Sequence, residues 1–532
     1  MVASGPVPAA APIAERPEIR GPERVGGSTR GLAAISAVAA IATLGLASWR
    51  LGAPSLWLDE AFTAHDAARP LAAILGMTGE AYGGAHHPPL YFLVVRGATL
   101  LCGSGEACLR APSAIASAAA AALVVGIAGR LFGRVAGIFA GALWVSLPYA
   151  LKYATQARHY SLLAALGALT LLLALRASGA DDRGPAARRV FVGLGLAGAA
   201  TVWTHLVALP WLAALALACV GWARAAAREG RRRVGDARRW SLAALVFALA
   251  LVPLAPALVR VVQTGAGGHL ASRPGPADNA AELLWHLASL GALTWVWPAL
   301  ALVAGAAGPC SRRTRAISLV ALAVVPFAPI VVRAPEHFVT LRYFMPSLVA
   351  MIVVVAAGAA ALVEIPRLLL RGRPRAGLAA AVVAALALVA ALAPIQAAGI
   401  RRHFASVGFE PWDQVAARVE GVLEAGDAVV AVPFELVRFP LAYYGVGAPI
   451  VDPGGPEFSE LLGAPPPRIA LVSGHVDRPD RRRRRRDALD RLRSAGCRAR
   501  AGGASIGGGL EVVVLFCHEQ NTRNQGRGGD QK

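Results

Sequence analysis

Two adjacent carboxylates are the first residues in this sequence that could carry out chemistry. Asp59 and Glu60 end the segment LWLDE at residues 56–60, directly after an apolar run and next to a tryptophan typical of membrane interfaces. A carboxylate held in a partly dry site can accept the proton that a hydroxyl group loses as it attacks an electrophile. We therefore predict a catalytic role for Asp59 and Glu60. The alternative is a pair of solvated loop acids.

Basic and aromatic side chains occur together at two other places. Lys152, Arg158 and Tyr160 lie within one short stretch, and Arg342 with Tyr343 repeats the combination far along the chain. A guanidinium group binds phosphate oxygens through two parallel hydrogen bonds. These five residues predict an anion-binding site. The alternative is that the basic side chains snorkel to the interface while the tyrosines belong to an aromatic belt.

Three histidines complete the set of predicted substrate-binding residues. His86 and His87 precede a double proline, and His205 follows Trp203-Thr204 at the end of an apolar run. Histidines in such positions could be metal ligands, hydrogen-bond donors to a phosphate or simply the start of a helix. We predict no metal ligands, because the cysteines of the chain do not form the two pairs with the spacing typical of a zinc site.

The composition indicates a membrane protein. Of the 532 residues, 56% are hydrophobic and only 16% are charged, with a mean hydropathy of +0.53. Soluble domains carry roughly 25% charged residues. The net charge of +21 comes from arginines in short clusters between apolar runs. This placement is typical of cytoplasmic loops of membrane proteins and argues against nucleic acid as a partner.

The apolar runs are long enough to cross a bilayer. The first covers residues 31–48, and it could be a cleaved signal peptide, but no convincing cleavage site precedes Trp49. Together with the later runs, it predicts about eleven spans. The later runs are centred near residues 120, 143, 168, 198, 214, 250, 295, 324, 352 and 385.

Arginine clusters predict the orientation of these spans. They fall on alternate loops, whereas the candidate site residues fall on the opposite loops. Because cytoplasmic loops are enriched in arginine, the pattern predicts a multi-pass inner (plasma) membrane protein with a cytoplasmic N-terminus and an external C-terminus. The run Leu90–Gly103 is short and contains Arg96, so it is predicted as an interfacial helix. Residues 51–109 then form one long external loop.

The C-terminal part has a different character. Short buried strands are predicted at 428–433, 469–473 and 511–517, and an amphipathic helix at 412–425. We expect a transmembrane domain over 31–395, a small extracytoplasmic α/β domain over 396–520, and disordered tails at 1–30 and 521–532. The basic run 481–486 is predicted to be a solvated surface or a contact with anionic lipid headgroups.

The six cysteines divide by their predicted side of the membrane. Cys219 and Cys310 lie in or beside spans and are predicted to pack there. The pairs Cys102/Cys108 and Cys497/Cys517 fall on the predicted outer side, where disulfides persist. A Cys497–Cys517 disulfide requires Cα atoms less than about 7 Å apart.

Several short motifs, taken in order, resemble those of a known family. They are DE at 59–60, HPPLY at 87–91, RAPS at 110–113, QARHY at 156–160, TH at 204–205 and RYFMP at 342–346. Together they resemble the dolichyl-phosphate-mannose protein mannosyltransferase superfamily, in particular its bacterial branch that includes the aminoarabinose transferases of lipid A. The resemblance covers roughly residues 31–400.

The resemblance implies a fold and an activity. The fold is an α-helical polytopic membrane protein of GT-C type with a long first external loop, here joined to the small α/β domain. The activity is an inverting transfer of a sugar from a polyprenyl-phosphate donor to an extracytoplasmic lipid, glycan or protein. Asp59 matches the family's catalytic carboxylate, Arg158 and Tyr160 its second-loop Arg-x-Tyr, and Arg342/Tyr343 its later Arg-Tyr. The partners expected are the donor, membrane lipids and the acceptor.

Two departures from the family leave points open. The chain lacks the large lumenal insertion of the eukaryotic mannosyltransferases, so protein is one acceptor among several. No charged carboxylate stands at 156–160 as it does in the aminoarabinose transferases, so the cofactor is unknown and a divalent cation is not strongly implied. Two other functions stay open. A lipid-linked sugar flippase or transporter would place ionisable groups near mid-span, and an envelope assembly protein would need no chemistry at Asp59.

Overall fold

The computed structural model describes twelve stretches of the chain. These are residues 29–76, 87–178, 185–228, 237–256, 259, 310–324, 341–370, 372–405, 410–475, 479–499, 504–507 and 509–517. The predictions for His86, the span near residue 295, the side chain of Cys310 and most of the two tails lie outside these residues.

The N-terminal three-quarters of the described chain is helical. Its helices are α1 Thr29–Ser48, α2 Leu58–Ala68, α3 Leu71–Leu75, α4 Leu90–Cys102, α5 Glu106–Phe132, α6 Arg134–Ser146, α7 Pro148–Ala154, α8 Tyr160–Ser178, α9 Pro185–Thr204, α10 Ala208–Arg228, α11 Ala237–Leu251, α12 Cys310–Val324, α13 Met345–Leu369 and α14 Pro374–Ala405. Short 3₁₀ turns, Val252–Leu254 and Leu341–Phe344, follow α11 and precede α13.

Seven of the described helices are long and apolar enough to cross a membrane. They are α1, α5, α8, α10, α11, α13 and α14. An eighth candidate is the pair α6–α7, which is bent by 60°. The bend has a local cause: Pro148 cannot donate a backbone hydrogen bond, and it holds Leu147 in an extended conformation. Described helices lie at or next to every predicted span position except the one near residue 295.

The helices pack closely, with α13 at the centre of the bundle. This helix is apolar on all sides and buried along most of its length, as expected for the centre of a bundle. Glycine at position 195 brings α9 against α11, because a Cβ atom there would lie 2.5 Å from the Ala243 carbonyl oxygen. The outer helix α14 instead exposes apolar side chains such as Val383 and Leu386. Such a surface is compatible with contact to the hydrocarbon chains of membrane lipids.

The predicted first external loop contains three short helices, α2, α3 and α4. The run Leu90–Gly103 is indeed a single 13-residue helix, α4, followed by Gly103 at a positive φ of 88°. Arg96 of α4 donates to the carbonyls of Ala67 and Arg69 at the end of α2. Helix α4 is thereby fixed to the end of α2.

The C-terminal domain is a mixed sheet covered by helices on both faces. Its strands are β1 Ala428–Val432, β2 Ile450–Val451, β3 Arg468–Ser473, β4 Cys497–Ala499, β5 Ala504–Gly507 and β6 Leu510–Cys517. The order is β2-β1-β3-β6-β4, with β5 also paired to β6. The contacts of β1 with β2 and β3 are parallel, and those of β6 are antiparallel.

Four helices cover this sheet: α15 Trp412–Glu420, α16 Phe434–Tyr443, α17 Pro456–Gly463 and α18 Pro479–Ser494. Trp412 and Val437 pack on one face, and Phe458 and Leu492 on the other. The small extracytoplasmic α/β domain predicted from the sequence therefore exists as an α/β unit, and the three predicted strands correspond to β1, β3 and β6. The basic run lies on α18, on the sheet face opposite α15 and α16.

Both predicted cysteine pairs are disulfides. Cys497 of β4 lies directly opposite Cys517 of β6, with a Cα–Cα distance of 3.9 Å. Cys102 at the end of α4 is joined to Cys108 at the start of α5. Cys219 is a buried free thiol, as predicted for a packing residue.

Candidate active site

The site is built around the first turn of α2. Asp59 and Glu60 are its second and third residues, where the partial positive charge of a helix N-terminus favours acidic side chains. Both are buried, with 8% and 1% of their surface exposed. Although the two carboxylates are adjacent in sequence, they have different partners.

Glu60 is saturated with hydrogen-bond donors. Its Oε1 accepts from Arg110 Nε at 2.8 Å and from the Ala157 backbone at 2.6 Å. Its Oε2 accepts from Arg110 Nη2 at 2.7 Å and from the Trp57 backbone at 3.3 Å. The predicted catalytic role beside Asp59 would require this carboxylate to leave its donors. The geometry instead favours a positioning role, in which Glu60 joins α2, α5 and the segment before α8.

Arg110 is a residue whose role the sequence did not predict. Its remaining N–H groups donate to the carbonyls of Leu51, Pro54 and Ser55, at 2.9, 2.9 and 3.0 Å. Every contact of this buried guanidinium therefore holds the chain that leads into α2. The available signal was its place in the RAPS motif, which carried the family resemblance without indicating a partner.

Asp59 faces two guanidinium groups. Its Oδ2 lies 3.4 Å from Arg342 Nη1 and 3.7 Å from Arg158 Nη2. Arg158 is itself held by bonds from Nη1 to the Asp59 carbonyl, at 2.9 Å, and to Thr63 Oγ1, at 3.2 Å. Asp59, Arg158 and Arg342 therefore converge on one site from three distant segments of the chain.

The rings of Tyr160 and Tyr343 lie next to the two guanidinium groups. The Arg342 guanidinium lies 5.7 Å from the Tyr160 ring centre and 5.8 Å from the Tyr343 ring centre. Arg158 lies 5.8 Å from the Tyr160 ring. Cation–π contacts of this kind fix a guanidinium without using up its hydrogen bonds. Both predicted tyrosines thus belong to the same site as the arginines.

A cluster of three histidines adjoins the two tyrosines. The ring centres of His87, His159 and His205 lie 4.8–6.0 Å apart, and one ligand nitrogen from each lies within 4.8 Å of the others. His87 and His205 were predicted site residues. His159 was not, although it stands between Arg158 and Tyr160 in the sequence. These three residues form the one group in the described chain that could hold a metal ion.

The two buried histidines of this cluster, His159 and His205, have a lowered pKa. Burial, above all, lowers the pKa of both His159 and His205 well below the ordinary value of 6.5. Neighbouring histidines and the Arg158 and Arg342 cations lower it further. At neutral pH each of these imidazoles therefore carries one donor and one acceptor nitrogen.

Lys152 lies at the edge of the site. Its ammonium group is 5.6 Å from the ring centre of Tyr153, on α7. That ring in turn packs against Tyr160, with 4.8 Å between the ring centres. Lys152 is therefore connected to the arginines through the rings of Tyr153 and Tyr160.

The C-terminal domain contacts the start of α2 and the residues before it directly. Glu410 Oε2 accepts from the Leu58 backbone at 2.9 Å, and the Tyr444 hydroxyl accepts from the Leu56 backbone at 2.7 Å. Phe439 of α16 packs edge-on against Phe62 of α2, with the ring centres 5.1 Å apart. No sequence signal predicted these contacts.

Comparison with known proteins identifies a family over part of the chain. Residues 86–259 match the family described as dolichyl-phosphate-mannose-protein mannosyltransferase. No curated protein sequence matches the chain.

Solved structures with the same architecture cover most of the chain. The apo structure of ArnT from Cupriavidus metallidurans matches 90% of this chain and 97% of its own, with 18% identity and a TM-score of 0.58. The same enzyme bound to undecaprenyl phosphate matches 92% and 98%, with 17% identity and a TM-score of 0.58. The oligosaccharyltransferase AglB from Archaeoglobus fulgidus, with an inhibitory peptide and a dolichol-phosphate, matches 90% and 74%, with 12% identity and a TM-score of 0.54.

These matches confirm the resemblance that the ordered motifs predicted. The fold is that of the GT-C glycosyltransferases, with a small C-terminal sheet domain. At these levels of identity the solved structures establish the fold alone.

Proposed function

We propose that this protein is a membrane glycosyltransferase that moves a sugar from a polyprenyl-phosphate donor to an acceptor outside the cytoplasm, with inversion. The observation that carries the proposal is the contact of Asp59 with Arg158 and Arg342, which places a carboxylate beside two phosphate-binding groups. The comparisons support it, because the similar structures include one bound to undecaprenyl phosphate and one with a dolichol-phosphate.

The proposed reaction is a direct displacement at the anomeric carbon. The acceptor hydroxyl gives its proton to the Asp59 carboxylate, and its oxygen bonds to the anomeric carbon. On the opposite face, the bond from that carbon to the phosphate oxygen breaks, and the polyprenyl phosphate leaves with the electron pair. Because attack and departure take place on opposite faces, the anomeric configuration inverts.

The two arginines would stabilise the leaving phosphate. Arg158 is buried and anchored, so its charge is held in place before the reaction begins. Preorganised donors of this kind typically contribute about 3–4 kcal/mol to transition-state stabilisation. When the donor binds, the phosphate would compete with Asp59 for the guanidinium groups and leave the carboxylate to the acceptor. Glu60 and Arg110 hold the helix on which Asp59 stands.

The distribution of charges supports a transferase over a transporter. Asp59 begins α2, Arg158 precedes α8, and Arg342 lies in the turn before α13. A flippase would need ionisable groups along the spans, whereas this set is grouped at helix ends. The histidine cluster lies beside the same ends.

The inner-membrane location and the external position of the site are part of the proposal. They are supported by the arginine clusters on the opposite loops and by two disulfides near α4 and in the C-terminal domain. The acceptor would therefore be an extracytoplasmic lipid, glycan or protein, reached from the side on which the C-terminal domain sits.

The test is transfer in vitro from a panel of undecaprenyl-phosphate sugars with radiolabelled sugar. Asp59→Asn should abolish transfer and leave donor binding nearly intact, because the amide keeps the shape of the side chain but cannot take the proton. Asp66→Asn is the matched control on the same helix, where Asp66 pairs with Arg69, and it should transfer normally. Normal turnover by Asp59→Asn would refute the assignment.

The arginines provide a second arm of the same test. Arg158→Ala should weaken donor binding and transfer together, whereas Arg158→Lys should recover only part, because a point charge replaces the planar fork. Arg69→Lys, directly after α2, serves as the control. Arg158→Ala with unchanged donor affinity would exclude a phosphate contact.

A further inference from the structure

The histidine cluster contains buried nitrogen atoms that have no hydrogen-bond partner in the described chain. His159 and His205 are 3% and 8% exposed, and the Nε2 atom of each is in this state. Buried polar atoms in proteins are nearly always paired, so unpaired ones beside an active site indicate a ligand. His87 completes the group at its more exposed edge.

The hydrogen bonding of His205 argues against a metal ion as this ligand. Its Nδ1 accepts a hydrogen bond from the Val207 backbone N–H at 3.1 Å. In the neutral ring the proton must then be on Nε2, which becomes a donor without a free lone pair. A metal-binding histidine has the reverse arrangement, with its other nitrogen donating to an oxygen acceptor.

The charges around the cluster also argue against a metal ion. Arg158 and Arg342 are close enough to lower the pKa of both buried histidines, and the same field would oppose a divalent cation. The two permanent cations are better phosphate ligands than neutral imidazoles. Nε2 of His205 offers a donor, and Nε2 of neutral His159 can donate or accept according to its tautomer. This set matches hydroxyl groups, since a hydroxyl both donates and accepts.

The surroundings of the cluster suit a sugar ring. The rings of His159 and Tyr160 are 4.3 Å apart between centres, and those of His205 and Tyr343 are 4.9 Å apart. The same two tyrosine rings contact the arginines that would hold the phosphate. Aromatic rings provide an apolar surface, on which the C–H groups of a sugar can pack while its hydroxyls reach the imidazoles.

We propose that His87, His159 and His205 form the subsite that binds the hydroxyl groups of the sugar carried on the polyprenyl phosphate. The inference rests on the proposed function and deepens it. The three histidines would distinguish one donor sugar from another, while Asp59, Arg158 and Arg342 act on atoms common to all donors. His159 is thereby assigned to the site together with the two histidines that the sequence pointed to.

Binding without an acceptor tests the subsite apart from catalysis. The affinities of the detergent-solubilised protein are measured for undecaprenyl phosphate and for a panel of undecaprenyl-phosphate hexoses with their monodeoxy analogues. His205→Phe and His159→Phe keep a ring but remove the nitrogens. Each should weaken binding of the preferred sugar-bearing donor about tenfold and leave binding of sugar-free undecaprenyl phosphate nearly unchanged.

Two further variants show whether a loss of affinity comes from misfolding. His205→Gln keeps an N–H group near the position of Nε2 and should recover part of the lost affinity. His65→Gln, on α2 with its ring against Phe439, should bind every ligand like the wild type. For a monodeoxy donor that lacks the contacted hydroxyl, His205→Phe should cause no further loss, because the hydrogen bond is already absent.

Three results would overturn the proposal. One is an equal loss of affinity for undecaprenyl phosphate without sugar, which would make the cluster a phosphate site. Another is unchanged affinity for every sugar in the panel. The third is a stoichiometric zinc ion in the purified protein that His159→Phe removes. If the wild type binds sugars through the histidines but transfers none, the proposed function fails and the subsite stands. If transfer depends on Asp59 but no histidine affects sugar binding, only the subsite fails.

Discussion

In the first turn of α2, the Glu60 carboxylate accepts hydrogen bonds from Arg110 and from two backbone N–H groups, whereas the Asp59 carboxylate meets two guanidinium groups at 3.4 and 3.7 Å. The first arrangement leaves no lone pair directed at a substrate. The second places a carboxylate next to groups that a phosphate can attract. Neighbouring acids can thus differ in role because burial and partners differ.

The Glu60–Arg110 pair provides a stability prediction. Glu60→Gln leaves a buried guanidinium without its counter-ion, and breaking a buried pair in this way typically costs about 3–5 kcal/mol. We expect a markedly lower thermal unfolding midpoint in detergent. Glu364→Gln is the control, because it breaks a pair with Arg367 whose side chains are about 40% exposed, and exposed pairs contribute at most about 1 kcal/mol. Equal midpoints for the two variants would contradict the positioning role of Glu60.

The sequence predicted the charged members of the site better than their roles. Asp59, Arg158 and Arg342 stand out because they fall on the predicted loops opposite the arginine clusters and have aromatic neighbours in the sequence. Glu60 could not be separated from Asp59, because its partner Arg110 lies on another helix fifty residues along the chain. His159 was hidden between two stronger candidates, and only the ring contacts with His87 and His205 show that it belongs to a cluster.

At the scale of elements, the C-terminal domain restrains the segment that leads into α2. Tyr444 follows α16, and its hydroxyl lies 2.7 Å from the Leu56 backbone nitrogen and 3.0 Å from the Ser55 hydroxyl. The Glu410 carboxylate accepts a hydrogen bond from the Leu58 backbone N–H at the start of α2. It also accepts one from the Trp412 indole N–H at 2.9 Å. The residues beside Asp59 are thus fixed by a domain some 350 positions away in sequence.

Tyr444→Phe tests this restraint. Loss of the hydroxyl leaves the Leu56 N–H without its acceptor, at a cost of about 1–3 kcal/mol, and should loosen the start of α2. We expect slower transfer, faster limited proteolysis of residues 51–58 and unchanged binding of undecaprenyl phosphate. Tyr443→Phe is the neighbouring control, because its hydroxyl only donates to the Ser104 carbonyl at an exposed site. If both variants behave like the wild type, the domain does not position the loop.

Helices and strands with a clear hydrophobic pattern could be predicted from the sequence. The positions at which they end or bend could not. Strands β1 and β3 are buried on both faces and therefore appear as continuous apolar runs. The predicted helix at 412–425 ends earlier, at Glu420, where Gly421 follows. The run near residue 143 was predicted as one span, but Pro148 divides it into α6 and α7 at 60°. An apolar proline does not interrupt a hydropathy pattern, although it interrupts the helix.

At the scale of the whole molecule, the site depends on segments that meet only through the fold. Its residues come from four places: the first loop, the segment before α8, the segment before α10 and the turn before α13. The C-terminal domain packs against α2. Composition and hydropathy predict such a bundle of spans, and the ordered motifs predict its GT-C fold. They cannot predict how the helices are arranged, because close approaches such as that of α9 to α11 depend on single glycines.

The orientation in the membrane is the remaining prediction. If arginine-rich loops are cytoplasmic, α2 and the C-terminal domain are external, while the loop between α13 and α14 is internal. Single cysteines at exposed positions distinguish the sides: Ala68 at the end of α2, Ser459 on α17 and Gly372 between α13 and α14.

In intact cells, with any outer membrane permeabilised, Ala68→Cys and Ser459→Cys should react with a membrane-impermeant maleimide. Gly372→Cys should react only after the inner membrane is disrupted, because the basic residues around it are retained in the cytoplasm. The same cysteines in detergent-solubilised protein give the control for accessibility, since all three should then label. Reaction at Gly372 with protection at the other two would invert the orientation. The proposed transfer would then face the cytoplasm, and the two disulfides would lie in a reducing compartment, where they rarely persist.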